Sequence, residues 1–366
     1  MPQPDGLAAF AALLYRLPMT VLARPKVSVV CAWYNRAVYI SDTLDSLLAQ
    51  DFGDFDIVLV NDGSPDPRVR EVLDGYADPR LRVIHQANTG FVGAIRRAIA
   101  QSQGEYIAVM GAGDVSLPAR LRLQAEALDE DPSLVGLGSS YRNVTVDETG
   151  GFLDAEDFVR KPIPITRDYI LRSHKSPFTH GEVMYRRSVY EAVGGYRPTF
   201  RFTQDLDLWL RMSRHGPFTL RPELLYERRL FLSDGIQSDL SKYVVQINFA
   251  NLALECARLY DRKGYDLVDV FGLNAGMMMA PDSFMAGVLS KTALKYLRNG
   301  MPEEAGFFLD LARRGRGSPL VYAACAVSAL YARPRLRALA ERILERLPIG
   351  DTRQTPPIQA LRGRKL

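Results

Sequence analysis

The first half of the chain alternates short apolar runs rich in β-branched residues with longer segments whose apolar positions recur at helical spacing. Such alternation predicts strands joined by crossover helices, which place the strands parallel in one sheet with helices on its faces. The predicted strands are residues 27–32, 56–60, 81–85 and 106–110. Helices are predicted between and after them, at 40–50, 69–76, from Gly90 onward and at 121–128. The pattern therefore indicates the α/β fold class.

The second half changes character twice. Between about residues 150 and 235 the pattern is mixed, and from about 240 it is nearly all helical, with amphipathic segments at 244–260, 283–299 and 302–314. We therefore predict four regions. They are an N-terminal helical extension at 1–24, an α/β domain at 25–240, a helical domain at 241–350 and a disordered basic tail at 351–366.

Composition excludes several classes of protein. Hydrophobic residues make up 47% and charged residues 24% of the 366 residues, which is typical of a folded globular chain. The three cysteines, Cys31, Cys256 and Cys325, form no CxxC pair, so neither a disulfide framework nor a cysteine zinc site is expected. The four histidines form no HxxxH or HExxH pattern, which argues against a histidine metal centre. Cysteines of this kind fit a reducing cytoplasm.

Basic residues are concentrated near the C-terminus. From Arg313 onward the chain has twelve Arg and Lys but only three Asp and Glu. The folded part lacks a basic, aromatic-interleaved face, so no nucleic-acid partner is expected. The segment around 333–350 carries leucines on one face and arginines around them. It is either a helix on an anionic membrane surface or a helix packed on the core. No signal peptide is evident, and the apolar run at 320–331 is shorter than the about 20 residues that span a bilayer. We therefore expect a cytoplasmic protein, with peripheral attachment to the inner face of the membrane as the open alternative.

Polar loops follow the predicted strands, reading AWYNR, NDGSPD, QANTGF and GAGD. Ligands of open parallel sheets bind at the carboxyl ends of the strands, so these loops are the candidate site. The first strand is followed by neither GxGxxG nor GxxxxGK[ST], which excludes the dinucleotide fingerprint and the Walker phosphate loop. Asp62 in the second loop either accepts hydrogen bonds from a base or ribose or organises an Asx turn.

Four segments, VSVVCAWYNR, IVLVNDGSPD, GEYIAVMGAGDVSLPARL and FRFTQDLDLWLRM, follow the order and spacing of the family 2 glycosyltransferases. The segment HGEVMYRRSVYEAVGGYR is similar to the acceptor-side segment of that family. The resemblance covers about residues 25–230 and implies the GT-A fold, a Rossmann-like, mostly parallel sheet flanked by helices. It also implies an inverting transferase that adds one sugar from a nucleotide-sugar, with a UDP-sugar favoured. A glycan or a polyisoprenoid-linked hydroxyl is the implied acceptor.

The resemblance also implies which residues hold the nucleotide. They are the residues after the first strand, the acid of the second loop and two positions at the following helix: Ala32, Trp33, Tyr34, Asn35, Asp62, Gly90 and Arg96. For Trp33 two roles stay open, because its ring either stacks on the base or is a buried structural aromatic.

Catalysis by inversion needs a base for the acceptor hydroxyl, and the resemblance assigns that role to Asp205. The family usually has Glu-Asp at this point, whereas this chain has Gln204 before Asp205. Without the resemblance, Asp205 is equally well explained as an acid favoured at a helix N-terminus. Asp207 is expected to be structural. His180, Gln204 and Arg228 are assigned to the diphosphate and acceptor side, with a structural role as the alternative for His180.

The loop after the fourth strand departs from the family, which carries an Asp-x-Asp or Asp-Asp pair there for Mg2+ or Mn2+. Here Gly113 stands at the position of the usual metal-binding acid, and Asp114 is the remaining candidate ligand. The usual diphosphate-facing basic position is Ile95. Mg2+ or Mn2+ dependence is therefore an open question. The competing hypothesis is a catalytically impaired relative that binds nucleotide-sugar as a regulatory or scaffolding module.

Overall fold

The computed structural model describes residues 24–147, 150–231, 240–279, 283–315 and 318–349. The predicted N-terminal extension, apart from Arg24, and the predicted basic tail lie outside the described residues. The strands are β1 (Val27–Trp33), β2 (Phe55–Asp62), β3 (Leu81–Gln86), β4 (Tyr106–Met110), β5 (Val115–Ser116), β6 (Gly136–Val146), β7 (Phe152–Phe158), β8 (Met184–Arg186) and β9 (Phe218–Phe231).

The helices follow in chain order. They are α1 (Ile40–Leu48), α2 (Pro67–Asp74), α3 (Gly90–Ala100), α4 (Arg120–Glu130), α5 (Arg167–Ser173), α6 (Arg187–Ala192), α7 (Gln204–Met212), α8 (Leu240–Lys263), α9 (Leu267–Phe271), α10 (Ser283–Arg298), α11 (Pro302–Arg313), α12 (Pro319–Tyr331) and α13 (Arg337–Arg346). Short 3-10 turns lie at Ala37–Tyr39, His180–Glu182 and Gly272–Met278.

The described strands form one sheet in the order β3-β2-β1-β4-β8-β6-β9-β5, with β7 paired to β6. The four N-terminal strands β1 to β4 pair in parallel, which confirms the predicted α/β fold. Beyond β4 the sheet is mixed, because β8 pairs antiparallel with both β4 and β6. The strands beyond β4 are hard to predict from sequence. For example, β8 has only three residues, which is too short to show a period-2 alternation.

Both faces of the parallel strands are covered, so their sequences are apolar throughout rather than alternating. Along β1, Val29 and Cys31 point to one apolar cluster and Val30 points to the other. Helix α3 packs its apolar residues on the second of these faces, and Ile95 among them is completely buried. Helix α2 starts at Pro67 with Asp66 as its N-cap, which fixes the turn after β2.

Helix α8 begins where the domain boundary was predicted and contributes to two cores. Its residues 252–254, 256 and 257 pack into the apolar cluster of the sheet, whereas Val244 and Ile247 pack against the C-terminal helices. In α13, Ala340 and Leu344 are buried in that C-terminal cluster. Part of the apolar face of the basic helix, at Leu344, is thus packed internally, whereas Leu339 on the same face is 49% exposed. Within the described part of the chain, no helix has the length and apolar character needed to cross a bilayer.

Candidate active site

The loops after β1 and β2 are joined by a side chain of the second loop. The backbone N–H of Asn35 donates to Ser64 Oγ at 2.9 Å, and Ser64 Oγ donates to Asn61 Oδ1 at 2.6 Å. Asn35 and Arg36 both adopt left-handed backbone conformations, which turn the chain sharply after β1. Ala32 is half-buried and Tyr34 is exposed at this edge. The two loops therefore form one continuous rim at the carboxyl end of the sheet.

Trp33 and Asp62, the two predicted nucleotide residues at the strand ends, are both buried. The Trp33 ring is fully enclosed and its Nε1 donates to the carbonyl of Asn35 at 2.5 Å, which agrees with the structural alternative rather than with base stacking. Asp62 Oδ1 accepts from Gln86 Nε2 at 2.7 Å and from the backbone N–H of Thr89 at 2.8 Å. Asp62 thus fixes the chain where it enters α3.

The N-terminus of α3 brings Gly90 to the same edge. Gly90 is exposed with φ 77°, a conformation that favours glycine. The next residue, Phe91, lies edge-on to the ring of His180 at a centroid distance of 5.2 Å. Arg96, two turns further on, is exposed and acts electrostatically on Tyr190 of α6, whose phenol pKa is raised mainly by burial.

His180 connects this edge to α7. Its Nε2 lies 2.6 Å from the Tyr196 hydroxyl. Burial lowers the pKa of His180, and the carboxylate of Asp205 opposes that shift. The imidazole is therefore neutral at pH 7, beside the half-buried Gln204 and Asp205 at the start of α7. His180 and Asp205 are therefore close enough to interact electrostatically.

Asp207 faces the protein interior and has a different environment from Asp205. Its carboxylate is buried between Arg197 and Arg211, and Arg211 Nη2 lies 2.7 Å from it. Arg197 also reaches Asp266, before α9, at 2.6 Å. These ion pairs hold the pKa of the Asp207 carboxyl below its usual range despite its burial. The structural role predicted for Asp207 matches these contacts.

Asp114 ends the glycine-rich loop after β4, and both of its carboxylate oxygens are bonded within the protein. Oδ2 accepts from the Tyr226 hydroxyl at 2.5 Å, and Oδ1 accepts from the backbone N–H of Arg229 at 2.8 Å. Burial raises the pKa of Asp114, and these two hydrogen bonds oppose the rise. In the described ranges no three His, Cys, Asp or Glu side chains lie together in a metal-binding group. Both oxygens of Asp114, the predicted metal ligand, therefore already accept hydrogen bonds from the protein.

Two buried ionisable residues beneath the site, Arg120 and Glu182, were not singled out by the sequence analysis. Arg120 is fully buried, and its Nη2 donates to the carbonyls of Val109 at 2.8 Å and Gly181 at 2.9 Å. It thereby clamps the end of β4 to the turn His180–Glu182. A helix-start arginine carries no sequence signal of burial, because helix periodicity alone does not separate it from a surface arginine.

Glu182, at the end of the same turn, is also buried. Its Oε1 accepts from the backbone N–H of Thr179 at 3.1 Å, and its Oε2 has no hydrogen-bond partner among the described residues. Burial raises the pKa of Glu182 to about 8, against the opposing effects of Arg160, Arg120 and Arg228. Glu182 is therefore mostly protonated at pH 7. Arg228, exposed near the end of β9, reaches this region electrostatically.

Part of the chain is similar to known glycosyltransferases. Residues 28–194 match the family described as glycosyl transferase family 2. The chain is 34% identical over 221 residues to the uncharacterized glycosyltransferase EpsJ of Bacillus subtilis, a match that covers 58% of this chain and 60% of EpsJ. It is 28% identical to the putative glycosyltransferase EpsE of the same organism, over 52% of this chain and 68% of EpsE.

Residues 28–194 are therefore similar to glycosyl transferase family 2, and they form most of the parallel part of a mixed α/β sheet. Among solved structures, the mannosyltransferase PcManGT from Pyrobaculum calidifontis is 18% identical, with a TM-score of 0.48 over 92% of this chain and 93% of that chain.

Proposed function

We propose that the protein is an inverting glycosyltransferase that moves a sugar from a nucleotide-sugar, with a UDP-sugar favoured, to a hydroxyl of a glycan or lipid-linked acceptor. The observation that carries this proposal is the grouping of Asp205, His180 and the N-terminus of α3 at the carboxyl edge of a family 2 domain. Parallel α/β sheets bind ligands at this edge, where the first two loops also meet.

In this mechanism Asp205 accepts the proton of the acceptor hydroxyl while the oxygen attacks the anomeric carbon. A single displacement from the face opposite the leaving group inverts that carbon. Asp205 lies in the first turn of α7, at the same edge of the sheet as His180. Neutral His180 beside it adds no charge that would stabilise the carboxylate and weaken it as a base.

Nucleotide binding is proposed for the rim formed by the first two loops. Backbone groups at Ala32, the exposed Tyr34 and Asn35 border the edge, with Gly90 across from them. The Oδ1 atom of Asn35, at the same edge, is buried and has no hydrogen-bond partner among the described residues.

The first experiment measures release of nucleoside diphosphate from a panel of nucleotide-sugars, with acceptor present, for the wild type and Asp205→Asn. We expect turnover of one donor in the wild type and a loss of about 100-fold or more in the variant, since removal of a general base typically costs 10²–10⁴. The matched control is Asp168→Asn, an exposed acid on α5, which we expect to retain activity. Equal turnover by Asp205→Asn contradicts the assignment of the base.

The altered loop after β4 favours one alternative, a relative that binds nucleotide-sugar without transferring it. In the same experiment this alternative appears as donor binding by calorimetry with no release of nucleoside diphosphate from any donor, with or without added lipid-linked acceptor.

A membrane surface is the proposed location of a lipid-linked acceptor. The segment from Val270 to Met278 exposes large apolar side chains, including Leu273 at 75% and Met277 at 80%, next to the exposed Arg262 and Lys263. This combination suits an anionic bilayer. Thr199 Oγ1 donates to the carbonyl of Gly272 at 3.2 Å, which ties the segment to the chain leading into α7.

Co-sedimentation with phosphatidylglycerol-containing vesicles tests this surface. The double variant Leu273→Ser, Met277→Ser should sediment less than the wild type, whereas Tyr322→Ser, at a side chain 72% exposed on α12, should not. Equal sedimentation of all three proteins contradicts the assignment of this surface.

A further inference from the structure

Two arginines hold the loop after β4, where the resemblance implies metal-binding acids, and one of them, Arg229, is also paired with Asp42 at 2.6 Å. Arg36 Nη1 donates to the carbonyl of Ala112 at 2.8 Å, and Arg229 Nη1 donates to the carbonyl of Gly113 at 3.1 Å. The Arg36 guanidinium also lies over the Phe231 ring at 3.8 Å. Two guanidinium groups from separate parts of the chain therefore hold successive carbonyls of one loop.

Gly113 stands where the resemblance implies an acid, and the packing around Gly111 and Gly113 leaves no room for a side chain at either position. A Cβ atom at position 111 would lie 2.1 Å from Asp114 Oδ2, and one at position 113 would lie 2.9 Å from the Phe231 ring. Gly113 also has φ 93°, which disfavours any side chain. A side chain at position 111 would collide with the Asp114 carboxylate that Tyr226 holds, and one at position 113 would collide with the Phe231 ring.

Arg228 on β9 places a positive charge on the solvent-exposed side of the loop after β4. It lies two residues beyond Tyr226 on β9, and alternation along a strand places both side chains on the same face. It is exposed, and it acts electrostatically on Asp114 and Glu182. Because Glu182 is mostly protonated at pH 7, it does not cancel the charge of Arg228.

We infer that this protein neutralises the donor diphosphate with guanidinium groups, Arg228 foremost, and without a divalent cation. The inference rests on the proposed function and concerns the leaving group. As the bond from the acceptor oxygen to the anomeric carbon forms, the bond from that carbon to the diphosphate oxygen breaks. The electron pair stays on the diphosphate, the hydroxyl proton goes to Asp205, and the new negative charge faces Arg228.

Titration calorimetry with UDP, GDP and dTDP tests the inference, in buffer with EDTA and in buffer with Mn2+. We expect one nucleoside diphosphate to bind in EDTA with a Kd within about threefold of that in Mn2+. Arg228→Ala should weaken binding by about tenfold or more, since charge-assisted hydrogen bonds contribute about 1.5–3 kcal/mol. Arg228→Lys should recover part of the lost affinity, because lysine keeps the positive charge but lacks the paired N–H donors of the guanidinium. The matched control is Arg172→Ala, at a side chain 79% exposed on α5, which should bind as the wild type does.

The outcomes separate the inference from the proposed function. Binding that disappears in EDTA and returns with Mn2+ overturns the inference and leaves the proposed donor site intact. Wild-type affinity in Arg228→Ala overturns the assignment of Arg228. Absence of binding for all three nucleotides in both buffers overturns the proposed function and the inference with it.

Discussion

The hydroxyl of Tyr226 donates to Asp114 Oδ2 at 2.5 Å and accepts from the backbone N–H of Gly111 at 3.0 Å. This one oxygen therefore joins both ends of the glycine-rich loop to β9, across 112 residues of sequence from Asp114. The loop is anchored from inside the protein, through a residue that lies on the site face of β9.

Tyr226→Phe removes that oxygen and leaves Asp114 Oδ2 and the Gly111 N–H without their partner. We expect a loss of about 1–3 kcal/mol in the free energy of unfolding, the usual cost of a buried polar group that loses its hydrogen bond. Urea unfolding at pH 7 measures it. The control Tyr322→Phe, at an exposed tyrosine, should change the free energy by less than about 0.5 kcal/mol. Equal stability of the two variants would show that the loop does not depend on this bond.

Asp207→Asn should damage the fold, in contrast to Asp205→Asn. Removing the carboxylate leaves Arg197 and Arg211 buried without their shared counter-ion, which typically costs about 3–5 kcal/mol. We expect a large drop in the thermal midpoint of Asp207→Asn and a near-wild-type midpoint for Asp205→Asn. Equal midpoints would contradict the separation of a structural and a catalytic acid on α7.

Gly181→Ala tests the close approach of the turn His180–Glu182 to Tyr226. A Cβ atom at position 181 would lie 1.9 Å from the Tyr226 hydroxyl and 3.1 Å from the Gly111 nitrogen. We expect destabilisation of about 1–3 kcal/mol, as for other overpacked sites. The control Gly306→Ala in α11, where nothing lies within 4 Å of the added carbon, should stabilise by up to about 1 kcal/mol through helix propensity. Tolerance of Gly181→Ala would rule out this packing.

The raised pKa of Glu182 makes the free energy of unfolding depend on pH. Because its pKa rises from the ordinary 4.5 to about 8 in the folded protein, the folded state binds more protons than the unfolded state between those values. The contribution of Glu182 to stability is therefore full below pH 4.5 and is lost as pH rises through 8.

Glu182→Gln removes this titration and keeps the acceptor for the Thr179 N–H. We expect the variant to gain stability relative to the wild type by more at pH 8.5 than at pH 5.5, measured by thermal unfolding. The control Glu191→Gln, at an exposed acid on α6, should show no such pH-dependent difference. A difference of the same size at both pH values would contradict the burial of a protonated Glu182.

The sequence by itself determined the parallel half of the sheet and the resemblance to family 2 glycosyltransferases, and it predicted different roles for Asp205 and Asp207. Period-2 and period-3.6 patterns act over a few residues, and burial on both faces makes β1 and β2 uniformly apolar. The motif spacing placed Asp205 in the first turn of α7, and His180 was selected by the same resemblance.

Only the tertiary structure decided the state of the loop after β4. The role of Asp114 depends on Tyr226, and the burial of Arg120 depends on the carbonyl of Gly181, 61 residues away. Residue types alone do not encode such contacts, because a tyrosine on a strand or an arginine at a helix start has many equivalent environments. Burial and partner together set the pKa values of Asp114 and Glu182, and both are properties of the folded chain.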